Sequence, residues 1–356
     1  MHEIETYETL NNSLEPQSIV NSFLKYPPEN FKINNIKTNC FDVYAFLADL
    51  DLFLTLDKPL KNFLKKFMRF KFLKNFLTPN VLFVGTTVSE HSLFPQNLNI
   101  NEFIKELLST QKRLNKQFVI IKDIPFNSLL LTQKENNQAK ELSSKLEKNN
   151  FIILEGQALA YKRINFSSFD EYLKNFSQNR KFNFRKKRKA KHNYNLQIFN
   201  TGDEFFTDDI VNNLHSLYLN VYNKSEMHFD KLSFEFFKNI LQNTNDGKVF
   251  VYIQKDKIIG FSLCYIVGNY LVDKYHGYLY PDSLKCFLYF NHFFDNLEFC
   301  IQNELKMCIM GWTNADTKAY LGCEFTQTYH AVYVKNPFLR MFLKIAKPLF
   351  ESDKIN

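Results

Sequence analysis

Asp273 and His276 stand three residues apart, and both side chains can handle a proton. An imidazole ordinarily titrates near neutrality, so His276 can take a proton from an attacking ammonium group. Asp273 can do the same if it is desolvated, or can hold the amine in place. Side chains alternate along a strand, so a spacing of three sends the two to opposite faces unless a bulge intervenes. The plainer reading of the pair is a hydrogen-bonded core histidine and an aspartate near a turn. His330, next to Tyr329, is a third candidate of the same kind, with a structural role as its alternative.

The charge distribution points to a second kind of chemistry. The 356 residues include 45 Lys+Arg and 37 Asp+Glu. Between Glu171 and Asp203 lie nine basic residues and no acidic one, so the rest of the chain is close to neutral. Eight of the nine fall between Arg180 and Lys191. Wound into a helix they surround the cylinder, interrupted by Phe182, Asn183 and Phe184. This is either a solvated basic helix with two Phe anchors or a site for a phosphate-bearing ligand. In the second case Arg180 and Arg185 are the phosphate contacts, and nucleic acid would use the same residues. About 140° of helix separates them, so one phosphate would not easily touch both.

Several chemistries are excluded. No two of the nine glycines are closer than eight residues, which rules out a dinucleotide fingerprint and a P-loop. The six cysteines form no C-x-x-C pair and there is no H-E-x-x-H, so neither a zinc site nor a disulfide framework is expected. No metal ligand is assigned. Reduced thiols fit a cytoplasmic protein. Nothing near Cys323 would lower its pKa, and it reads as packing. The N-terminus, MHEIETYETL, has no apolar core and is not a signal peptide. No apolar run is long enough to span a bilayer.

The elements that must position these residues follow from periodicity. The spacing predicts an apolar-rich helix over 59–76, a buried strand over 81–87, a helix from Asn99 to about 114 and a second buried strand over 117–124. Lys122-Asp123 at its end reads as an exposed turn. A polar helix over 136–148 and a strand over 151–161 complete the first half. Ser167 or Ser168 caps the next helix, with Glu171 at capping-box spacing from Ser168. The basic helix, a strand over 194–199 and helices over 204–222 and 231–243 follow. Three strands (248–254, 258–266, 270–280) are joined by the turns Lys255-Asp256-Lys257 and Gly268-Asn269. Then come a helix over 288–303, a strand over 307–310, a short helix over 314–321 and a last strand over 325–334.

Three antiparallel strands, a helix, a buried strand, a short helix and a final strand resemble the order of the Gcn5-related N-acetyltransferase (GNAT) fold. NADTKAYLGCEF (314–325) is similar to the family passage after its fifth strand. FSSFDEYLKNFSQNRKFNFRKKRKA (166–190) is similar to the signature of FemAB-like acyltransferases. Tyr275-His276-Gly277, Leu288-Tyr289-Phe290, the spacing Gly311…Lys318…Gly322 and Tyr329-His330 agree with it. The resemblance covers about residues 80–335.

It implies a mixed α+β chain of two GNAT-like lobes, each a mostly antiparallel mixed sheet flanked by helices. The lobes are expected at 1–160, the less well preserved of the two, and at 161–356. It also implies acyl or aminoacyl transfer by direct attack onto an amine, the acceptor being a small molecule or a cell-envelope precursor. Lys318 replaces the tyrosine that usually protonates the leaving group, and can hydrogen-bond a developing oxyanion or a substrate phosphate. An exposed helix lysine is the plainer alternative. The strand carrying Asp273 and His276 is the one that splays to form the acyl slot. Tyr275 and Trp312 join Arg180, Arg185 and His330 as candidate substrate-binding residues. The glycine-bearing pyrophosphate loop of GNAT enzymes is replaced by PDSLKCFLYF (281–290). The donor is therefore acyl-CoA or, as in FemAB-type members, aminoacyl-tRNA.

Two other readings compete. One is a non-catalytic nucleic-acid or tRNA-binding protein on a degenerate GNAT fold. The other is a peripheral membrane protein using the amphipathic helix over 58–77. The latter is less favoured, because such a helix usually covers a core.

Overall fold

A computed structural model describes residues 10–51, 78–225 and 228–347. The amphipathic helix expected over 58–77 lies outside the described residues. The chain divides into two compact units. The first gathers the residues up to Leu14, Pro27–Ala158 and the stretch from Thr326; the second gathers Glu15–Tyr26 and Leu159–Phe325. The fold class is the expected mixed α/β one, with a helix-flanked sheet in each unit.

A single cut at 160/161 leaves two segments on the wrong side, and each has a physical reason. The helix Gln17–Lys25 buries Ile19, Val20 and Phe23. Its Ser22 hydroxyl accepts from Asn239 Nδ2 at 2.8 Å, and Glu15 pairs with buried Lys274 at 3.3 Å. These ties belong to the second unit. At the other end, the expected strand over 325–334 is two strands. Glu324–Thr326 ends the sheet of the second unit, whereas Thr328–Val334 lies in the sheet of the first, between Phe118–Pro125 and Ile152–Glu155. Gln327 is the break, and its Nε2 donates to Gly156 O at 2.9 Å. The strand expected over 151–161 is also two, Ile152–Glu155 and Leu159–Arg163, again one in each sheet.

In the second unit, the sheet order is Asn195–Asn200, Gly247–Gln254, Lys257–Val267, Tyr270–Tyr278, Met307–Gly311, Leu159–Arg163, Glu324–Thr326. The first four strands are antiparallel neighbours. Lys255 and Asp256 take left-handed conformations (φ 49° and 60°), as a tight hairpin requires. Tyr270–Tyr278 and Met307–Gly311 are parallel, so a crossover must join them, and the helix Leu288–Gln302 supplies it. The parallel register covers only Tyr270–Val272 against Met307–Ile309. Beyond Val272 the two strands part. In the first unit Asn80–Val84 and Phe118–Pro125 are likewise parallel and joined by a helix, Ile100–Arg113. Each unit has its own apolar core.

The spacing Gly311…Lys318…Gly322 has a structural meaning. Gly322 sits at φ +75°, just past the helix Ala315–Tyr320, and a Cβ there would lie 2.7 Å from the Phe176 ring. Cys323 N then closes the turn on Lys318 O at 2.9 Å. Gly311 is at φ +71°, and a Cβ on it would face the Lys318 ammonium at 4.0 Å. A side chain at either position would be strained by the positive φ.

Candidate active site

The place where Tyr270–Tyr278 leaves Met307–Gly311 holds a small pocket. It is lined by Asp273 and His276 from the first strand and Met310 from the second. Tyr289, His292 and Phe293 come from the crossover helix, and Thr313, Lys318 and Leu321 from the segment beyond. Its enclosed volume is about 20 Å³, room for roughly one water. Phe287 (φ 48°) and Asn314 (φ 58°) hold left-handed backbones immediately before the two helices that wall it. Such strain collects at functional sites.

Asp273 and His276 share this pocket because the strand bulges between them. Cys264 faces Asp273 and Leu263 faces Tyr275, which makes Lys274 the extra residue of the bulge. The extra residue restores both side chains to one face. Asp273 is the hub. Its Oδ1 accepts from Ser262 Oγ at 3.0 Å, and its Oδ2 lies 3.0 Å from His292 Nε2. The Tyr278 hydroxyl is 2.8 Å from His292 Nδ1. Burial raises the pKa of that hydroxyl well above its ordinary value, so it stays a neutral hydroxyl. A proton on His292 Nε2 would face the carboxylate and leave Nδ1 to accept from Tyr278.

Burial also favours neutral Asp273, but the neighbouring His292 and His276 and the Ser262 hydrogen bond outweigh it. They hold the carboxyl below its usual range. His276 departs from the near-neutral base expected from its type. Burial, His292 and Lys318 push its pKa down to about 4, against the opposing pull of Asp273. It is a neutral acceptor at physiological pH. The folded pKa lies below the unfolded one, so the unfolded chain binds the proton first as pH falls. The associated stability is present above about 6.5 and is lost between there and about 4. Over that window the melting temperature of the wild type is expected to fall more steeply than that of His276→Gln. Parallel pH profiles in a thermal-denaturation series would contradict the assignment.

Lys318 is 5% exposed, not the exposed helix lysine of the plainer reading. The pocket therefore brings together Lys318, Asp273 and His276, with Tyr289 and His292 added. Asp273, His276 and His292 also offer ligand atoms within 4.8 Å of one another, a zinc-type donor set. Lys318 lines the same pocket and opposes a bound cation, so the cluster reads as an acid–base group. His292 was missed from sequence. Its signal was its place three residues after Tyr289 on one face of the crossover helix.

The remaining candidates lie elsewhere. Tyr275 points to the opposite face of the sheet, with its ring centroid 6.0 Å from those of Phe236 and Phe237. Trp312 is half-buried and does not line the pocket. His330 belongs to the first unit, where its Nδ1 accepts from Asp123 N at 3.1 Å and burial lowers its pKa. Asp123 is buried and paired with Lys122, which corrects the exposed turn expected there.

The basic run forms the helix Gln178–Arg188 and a 3-10 turn, Lys189–Asn193. Phe184 is buried as an anchor, but Phe182 is exposed. Arg180 stacks over Tyr320, 4.8 Å from the ring centre, and so braces the helix that carries Lys318. Arg185 pairs with Asp170 in solvent at 3.1 Å. Arg188 turns inward to Asp295 at 2.8 Å and Glu298 at 2.6 Å. Lys191 reaches Glu298 at 2.8 Å and Asp295 at 3.4 Å. Part of the run is thus internal structure. The pyrophosphate-loop position is taken by a short helix, Asp282–Lys285.

A sheet that splays after a short parallel pairing, beside a crossover helix, is the architecture of the GNAT fold. Similar solved structures include L-PGS from Bacillus licheniformis (TM-score 0.54, 10% identity, covering 96% of this chain and 98% of that one). FemX is another (TM-score 0.50, 8% identity, covering 92% of this chain and 98% of that one). At such identities the likeness concerns the fold. No match is found among curated proteins. The family model for FemAB-like peptidoglycan biosynthesis/recognition proteins matches residues 93–346, and the chain belongs to that family. Among the described residues no helix is long and apolar enough to cross a membrane.

Proposed function

We propose that the protein transfers an acyl or aminoacyl group to an amine, with the splayed-strand pocket as the reaction centre. The observation that carries this reading is a buried lysine sharing one pocket with an ionised, hydrogen-bonded carboxylate and two imidazoles. The acceptor nitrogen attacks the carbonyl carbon. The bond to the donor oxygen or sulfur then breaks, and the leaving group takes up a proton. The proton released from the ammonium passes to the Asp273–His292 pair or to neutral His276. The Lys318 ammonium faces the oxyanion, so its field acts most strongly where charge develops.

Aminoacyl-tRNA is the favoured donor. A helix without glycine stands where a CoA pyrophosphate loop would be, and the exposed cations Arg185, Lys186 and Lys189 offer phosphate contacts. The family description favours an amine of a cell-envelope precursor as acceptor. The test is single-turnover transfer from radiolabelled aminoacyl-tRNA and from acetyl-CoA to an amine-bearing peptidoglycan precursor. Transfer from the charged tRNA supports the reading. Transfer from acetyl-CoA alone overturns the donor assignment. Salt-dependent tRNA binding with no transfer from either donor overturns the catalytic reading in favour of a nucleic-acid-binding protein.

A further inference from the structure

The helix Pro337–Ala346 in the first unit reverses the usual disposition of an amphipathic helix. Asn336 caps it by accepting from the Phe338 and Leu339 amides, at 2.9 and 3.1 Å. Arg340 fixes its rotation. The Arg340 Nε donates to Val334 O at 2.9 Å, and the guanidinium lies 4.9 Å from the centre of the Tyr333 ring. The half-buried residues of the helix are therefore Leu339, Arg340 and Leu343. Phe338, Met341, Phe342 and Ile345 follow i, i+3, i+4, i+7 spacing and form one outward stripe, exposed at 79%, 60%, 62% and 73%. Large contiguous apolar surface of this kind marks an interaction site.

The charge around the stripe identifies what covers it. From residue 325 to residue 350 the sequence has no acidic residue, but it has Lys335, Arg340, Lys344 and Lys347. Lys344 stands exposed on the flank of the stripe. A second copy docked helix to helix would bring like charges together. An anionic interface accepts both the apolar ridge and the cations beside it, and a ten-residue helix of about 15 Å lies along such a surface without crossing it.

We propose that this helix docks the first unit on an anionic lipid surface. The proposal is independent of the transfer reading, and rests on a different helix from the one over 58–77. The experiment is flotation of the full chain with phosphatidylcholine vesicles, with and without phosphatidylglycerol, at low and physiological salt. The wild type is expected to float with the anionic vesicles and much less with the neutral ones. Phe338→Ser/Phe342→Ser should weaken partitioning by about tenfold or more, since both rings leave the interface. These rings are exposed, so the melting temperature should hold. Lys344→Glu should weaken binding to anionic vesicles only. Three results would each overturn the proposal. These are a wild type that stays unbound to either vesicle, a double variant that binds equally well, and a dimer in light scattering that the double substitution dissolves.

Discussion

Lys318→Met is expected to lower the single-turnover transfer rate by about 10²–10³-fold, the usual loss when one preorganised oxyanion donor is removed. Methionine keeps most of the volume while removing the ammonium, so the helix Ala315–Tyr320 and its closure at Gly322 remain. Donor affinity should stay within a factor of about two, because the charge is used as the oxyanion forms, not in holding the donor. Lys318→Arg should fail to restore the rate. A planar guanidinium fork does not present its charge from the point the compact ammonium occupies. A Lys318→Met enzyme with wild-type turnover would remove the lysine from the mechanism.

Arg188→Ala carries the largest expected loss of stability. Asp295 is 1% exposed on its side chain, and Arg188 holds it at 2.8 Å while also binding Glu298. Burial pushes the Asp295 carboxyl above its ordinary pKa even with Arg188 and Lys191 opposing the shift. Deleting the guanidinium leaves that carboxylate with Lys191 at 3.4 Å and the Tyr194 hydroxyl at 3.3 Å. Breaking a buried pair from one side costs about 3–5 kcal/mol. For a unit of this size that lowers the melting temperature by roughly 6–20 °C. Replacing both partners together, Arg188→Met with Asp295→Leu, should recover most of the loss, since no charge is then left buried. Thermal unfolding by circular dichroism measures both. An unchanged melting temperature in Arg188→Ala would show that the pair is not structural, leaving Arg188 available to a ligand.

The two results bear on how far the sequence could be read. Hairpin turns and helix caps are local, and they stood where residue chemistry puts them: Lys255-Asp256, Asn99 and Ser168. Lys318 was legible through its spacing from two glycines, each of which turns out to need its missing Cβ. Asp273 and His276 were legible as residues but not as a pair. The bulge falls at Lys274, and that lysine meets Glu15, in a segment more than two hundred residues away. His292 was hidden for the same reason, since its partners Asp273 and Tyr278 come from the neighbouring strand. The break at Gln327 leaves little trace in an apolar run, because both halves have strand periodicity and only pairing separates them. In the basic run, composition could not distinguish Arg185, in solvent, from Arg188, three residues on and bound to two carboxylates.

Whether the acyl group changes hands in the opening between Tyr270–Tyr278 and Met307–Gly311 is tested by a crystal structure with a hydrolysis-resistant, amide-linked aminoacyl-tRNA end analogue. The acyl oxygen is expected within about 3.2 Å of Lys318 Nζ, a hydrogen-bond distance, with the acceptor side facing Asp273 and His276. Ordered analogue bound away from this pocket, with Lys318 still enclosed by Gly311 and Leu321, would contradict it.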